Sequence, residues 1–167
     1  FNPYKDELGM PSWIGTADVG EQIPRYQAFD QHGDLFDRYD LAGHGTYTIL
    51  NLVSGANGWC HEVARWTEGE DSTFDQLPEY SEIPSFITEQ KMYWVNVLVE
   101  GADPEWAVSE KDVAEWVQEH TSEDIPELLD QDQQLNTYMV PNNLPASLLL
   151  DSDMRIVAYV EPYTKTW

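Results

Sequence analysis

The chain carries a single sulfur nucleophile. Cys60 lies in "SGANGWCHEVARW", directly after Trp59, where an apolar run gives way to glycines and then to an apparent helix start. A thiol at a helix N-terminus faces backbone N–H groups that have no intrahelical partner, and it faces the positive end of the helix dipole. Both favour thiolate over thiol. The spacing therefore predicts a depressed pKa and a nucleophilic sulfur, left partly exposed by the glycine-rich turn. The competing reading of the same residue is a small apolar core cysteine with no chemistry. One cysteine in 167 residues also excludes an internal disulfide, so a thiol cycle would need an external partner thiol.

The neighbours of Cys60 are the next candidates. "HEVAR" falls short of the zinc-protease pattern because Arg65 stands where a second histidine is needed. His61 could act as base or cation beside the thiol, or join Cys60 in holding a soft ion such as Cu(I). His32, His44 and His120 have no ligand spacing to Cys60, so no metal and no cofactor are expected. His61 and Glu62 then read as exposed helix-start residues. Asp30, Asp34, Asp37 and Asp40 loosely resemble a calcium loop but lack its closing glutamate, and a polar turn is the better reading. No phosphate-binding glycine loop, dinucleotide fingerprint or serine-nucleophile elbow is present.

These residues must be held by an α/β scaffold. "YTILNLVSG" and "MYWVNVLVEG" are β-branched, apolar runs suited to strands buried on both faces. Two short strands flank "DQHGD". A helix follows Cys60, with a further helical piece in "LPEYSEIPSFITEQ". "PEWAVSEKDVAEWVQEH" reads as an amphipathic helix with Trp106, Val113, Trp116 and Val117 near one face and Pro104 at its first turn. "LPASLLLDSDMRIVAYVEP" reads as a β-hairpin turning at "DSD". Buried strands separated by helices pair in parallel through crossovers, and the hairpin adds antiparallel strands. The expected fold is a mixed central sheet flanked by helices. Residues 1–18 form an irregular lead-in and 19–167 one domain. Trp59, Trp66, Trp94, Trp106 and Trp116 are expected in the core.

The pieces "VGEQIPRYQAFDQHGDLFDRYDLAG", "YTILNLVSGANGWCHEV", "YWVNVLVEG" and "NNLPASLLLDSDMRIVAY" occur in an order that resembles the thioredoxin-like redoxins. These are the peroxiredoxin-related (AhpC/TSA-like) and TlpA/ResA-like thiol oxidoreductases. The resemblance spans about residues 19 to 160 and implies a thioredoxin-like fold with an N-terminal β-hairpin extension. It matches Trp59 and Cys60 to the Trp-Cys of a W-C-x-x-C motif at a helix start. It matches Pro145 to a cis, substrate-facing proline. The second cysteine of that motif is replaced by Val63. Peroxiredoxins carry Thr or Ser three residues before the reactive cysteine and Pro four before that, where this chain has Asn57 and Val53.

The resemblance thus implies at most monothiol, mixed-disulfide oxidoreductase chemistry at Cys60, with protein or small-molecule thiols and disulfides as partners. The alternative is a catalytically silent thioredoxin-like binding module, and the minor alternatives are a one-cysteine peroxidase or a Cu(I)-binding protein.

Charge excludes other classes. Thirty-one acidic side chains against eight basic give a formal charge of −23, which repels nucleic-acid phosphates and anionic membrane surfaces. No run reaches the ~18 apolar residues needed to cross a bilayer. The chain opens at Phe1 without a basic or apolar leader, and with the resemblance this leads to an expected mature, periplasmic or extracellular form.

Overall fold

In the computed structural model, residues 2–162 are described. β1 (Gln27–Phe29) and β2 (Leu35–Asp37) pair antiparallel as a small hairpin. β3 (Tyr47–Ser54), β4 (Met92–Glu100), β5 (Glu127–Leu129), β6 (Ala146–Leu150) and β7 (Ile156–Val160) form the main sheet in the order β5-β4-β3-β6-β7. β3, β4 and β5 run parallel, while β6 and β7 are antiparallel to their neighbours. The helices are α1 (Gly58–Thr67), α2 (Ile83–Thr88), α3 (Glu110–Glu119) and α4 (Gln134–Met139). The expected mixed, helix-flanked sheet with an N-terminal hairpin is what forms.

Alternation along the strands sorts the core. Leu50, Leu52, Val95, Val97, Leu148 and Leu150 fill one face, where they pack with Leu135, Tyr138 and Met139 of α4. The lead-in closes this side: the Trp13 ring meets Tyr26 and Tyr138 edge-on at 6.2 and 5.5 Å. The opposite face carries α1, α2 and α3. Its core is split in two. Ile49, Trp94, Val63, Trp66 and Ile87 make an aromatic cluster. Val53, Leu98, Cys60, Ala64, Val113 and Trp116 make a second.

A row of buried polar side chains crosses the sheet between these two clusters. Asn51 is in register with Ser147 on one side and Asn96 on the other, and Asn96 is in register with Glu127. Ser147 Oγ donates to Asn51 Oδ1 at 2.8 Å, Asn51 Nδ2 to Asn96 Oδ1 at 2.9 Å, and Asn96 Nδ2 to Glu127 Oε1 at 2.8 Å. Each amide thus finds a lateral partner, which is what lets polar groups sit in a sheet interior. Burial pushes the Glu127 carboxyl up to about 8.

Three expectations are corrected. α3 starts at Glu110 behind a Ser109–Asp112 capping box, so Trp106 lies outside it and is 74% exposed. Trp59 is likewise half exposed, so two of the five tryptophans stand outside the core. β5 and α4 were not expected: at three and six residues they display no period, and unlike β1 and β2 they do not flank a glycine turn.

Candidate functional site

The centre of the site is the first turn of α1, beyond the C-terminal end of β3. Asn57 caps the helix: its Oδ1 accepts from the Trp59 N–H at 2.9 Å. Its Nδ2 donates to the Leu144 carbonyl at 2.9 Å, and the Leu144–Pro145 peptide is cis. Asn57 therefore ties the helix start to the loop that leads into β6. Trp59 lies two residues after the cap and is exposed. Cys60 lies three after it, and a helix turning about 100° per residue carries that position inward.

Cys60 is fully buried among Val53, Ala64, Leu98, Val108, Val113 and Trp116. Its Sγ accepts from the Ser54 N–H at 3.4 Å, but burial outweighs that bond and pushes the thiol up to about 12. The expected exposed sulfur with a depressed pKa is therefore corrected. The helix does start beside Cys60, but the cap is Asn57, so the N-terminal dipole and the cis-proline loop meet at Asn57. In a C-x-x-C motif the two cysteines are three residues apart. Asn57 and Cys60 stand three residues apart, Asn57 at the helix cap and Cys60 in the interior. Sequence reasoning missed Asn57 as the cap; the available signal was Asn itself, a favoured N-cap residue just before the helix.

Two flanks of α1 frame this centre. On one, Trp59, Val63 and Trp66 line an apolar pocket of about 280 Å³ with Phe74, Trp94 and Pro145. Trp66 stacks on Phe74 at 5.2 Å and meets Trp94 edge-on at 6.1 Å. Ser147, the end of the polar row, also reaches the pocket. Val63, where the family's second cysteine was expected, is thus a pocket wall. Phe74 comes from the segment after α1, which Glu62 fastens. The Glu62 carboxylate accepts from the Thr73 N–H at 3.0 Å and pairs with Arg65, and these bonds hold it down at about 2.

On the other flank, His61 meets His120, the cap residue at the end of α3. His61 Nδ1 lies 2.9 Å from His120 Nε2 and 3.3 Å from Glu119 Oε2. Both rings lie against Trp116, at 4.9 and 4.4 Å between centroids. The two histidines are 59 positions apart, so no spacing rule brings them together. His32 and His44 lie outside this group. Asp30 is a turn residue, its Oδ1 accepting from the N–H groups of His32 and Asp34 at 2.9 Å each, in line with the polar-turn reading.

No protein-family model matches the chain, and no curated protein matches it. Solved structures do. The thioredoxin domain of a thiol-disulfide oxidoreductase from Bacteroides vulgatus superposes with a TM-score of 0.62 at 16% identity, covering 86% of this chain and 89% of that one. A candidate thiol:disulfide interchange protein DsbE from Chlorobium tepidum gives 0.63 at 15% identity, covering 88% and 89%. A thioredoxin-like protein from Bacteroides caccae gives 0.64 at 12% identity, covering 86% of this chain and 45% of that one. The fold is thioredoxin-like. Among the described residues no helix is long and apolar enough to cross a membrane.

Proposed function

We propose that this thioredoxin-like domain is a binding module whose exchange position has been given over to Asn57. The observation that carries this reading is the pairing of Asn57 Nδ2 with the Leu144 carbonyl beside the cis proline, while Cys60 is closed inside the core. An amide at the helix start can orient a ligand but cannot form a mixed disulfide. The pocket walled by Trp59, Phe74, Trp94 and Pro145 supplies the affinity, taking an apolar side chain from an extended peptide laid along the Leu144–Pro145 backbone. On this reading the partners are protein segments, and the resemblance to redoxins points to a periplasmic or extracellular setting. The thiol oxidoreductase reading requires Cys60 to become accessible as thiolate, against both its burial and its raised pKa.

The decisive experiment restores the missing thiol. Asn57→Cys places a second cysteine three residues ahead of Cys60 at the helix start. We expect that variant to form an internal disulfide and to accelerate insulin reduction by dithiothreitol. The wild-type protein and Cys60→Ser should be equally inactive, with or without glutathione. Activity in the wild type that vanishes in Cys60→Ser would overturn the binding reading in favour of monothiol chemistry.

A further inference from the structure

We propose that His61, His120 and Glu119 form a binding site for a divalent transition-metal ion of the zinc class, held by two imidazole nitrogens and one carboxylate. The argument begins with where the ring protons must be. His61 Nε2 lies 2.9 Å from the Gly55 carbonyl oxygen, which can only accept, so Nε2 carries the hydrogen. Gly55 reaches this place because its backbone abuts Gly101 and Ala102, where a side chain would meet the Ala102 nitrogen at 3.0 Å.

His120 is buried, and its Nδ1 lies 3.5 Å from Glu68 Oε2. That is long for a hydrogen bond, yet neither atom has another partner among the described residues. The other Glu68 oxygen accepts from the Ser122 N–H at 2.9 Å, which fixes the carboxylate in place. A carboxylate facing a ring nitrogen favours a proton on that nitrogen. Nδ1 of His120 therefore carries its hydrogen too.

With those tautomers, His61 Nδ1 and His120 Nε2 face each other as electron-pair donors across 2.9 Å, and the Glu119 carboxylate converges as a third. Three electron-pair donors within 4.8 Å of one another need a positive charge among them. The ligand edge of a tetrahedral zinc site is ~3.3 Å for Zn–N distances of about 2.0–2.1 Å. The two imidazoles reach that edge by separating a few tenths of an ångström.

The surroundings suit a metal. Each ring is backed by an acceptor that orients it, the carbonyl of Gly55 for one and Glu68 for the other. The site sits between the C-terminal end of α3, whose dipole favours cations, and the first turn of α1, whose dipole opposes them, so its side-chain donors must carry the binding. Two imidazoles and one carboxylate match the three-ligand zinc set that leaves a fourth position open. This site lies on the flank of α1 away from the aromatic pocket and does not depend on what that pocket binds.

The test is titration of the full chain with Zn²⁺ alone, by calorimetry and by tryptophan fluorescence, since Trp116 lies against both rings. We expect one saturable site that excess Ca²⁺ does not displace, although the acidic surface binds both ions diffusely. Losing an outer partner of a zinc ligand costs about 10–100-fold in affinity, so losing a ligand in His61→Gln should cost at least that. Glu119→Gln should weaken binding in the same direction and, being exposed, keeps the fold even if His61→Gln does not. Circular dichroism reports folding of each variant. Absence of saturable Zn²⁺ binding would overturn the proposal and leave a shared proton between the rings. Equal affinity in wild type, His61→Gln and Glu119→Gln would overturn it in favour of diffuse surface binding.

Discussion

Helix α1 presents two flanks built from alternate positions of one ten-residue segment, and they differ in kind. The flank of Trp59, Val63 and Trp66 is apolar, aromatic and open, and it offers area. The flank of Cys60, His61 and Ala64 is closed by α3, and it concentrates lone pairs against Trp116. The polar row from Ser147 to Glu127 runs between them under the helix. A thiol that belonged to the open flank would be reactive. Placed on the closed flank it is buried with its pKa raised, and the residue left at the helix start is an amide. On the proposed reading, a three-residue shift of the cysteine along one helix separates an exchange site from a binding site.

The largest effect expected is on the aromatic flank. Trp66 is 5% exposed and touches Phe74, Tyr80 and Trp94, so Trp66→Ala should cost about 3–5 kcal/mol in chemical denaturation. Trp59→Ala, at the exposed rim, should leave stability nearly unchanged while abolishing peptide binding. Equal stability losses in the two variants would show that the pocket is simply core.

The closed flank gives a smaller effect. Cys60→Ser buries a hydroxyl among apolar side chains and should cost about 1–3 kcal/mol. The native thiol should resist alkylation until the protein unfolds. Rapid alkylation at pH 7 under native conditions would contradict its burial.

The polar row between the flanks should show its effect as a dependence of stability on pH. The folded-state pKa of Glu127 is about 8, above the unfolded value near 4.3, so the folded form binds the extra proton between those limits. Its contribution to stability is fully present below about pH 4.3 and is lost as pH rises to about 8. Glu127→Gln, which keeps the bond to Asn96 in amide form, should remove that slope from the midpoint of unfolding measured against pH.

Much of the scaffold could be read from residues alone. The two apolar runs, the hairpin around "DSD" and the acidic surface follow from local pattern. β5 and α4 do not, because they are held by their neighbours in the sheet and core. Trp106 was misassigned because the amphipathic period continues backwards past the Ser109 cap that ends it.

The sequence by itself determined the order of the longer strands and helices, the absence of a dithiol couple and the net charge, since each depends on composition or on nearest neighbours along the chain. Only the tertiary structure decided which way Cys60 faces and that His61 meets His120. Orientation follows from the helix cap together with the packing of α3. Their meeting closes 59 residues of chain through a sheet whose register no local spacing encodes.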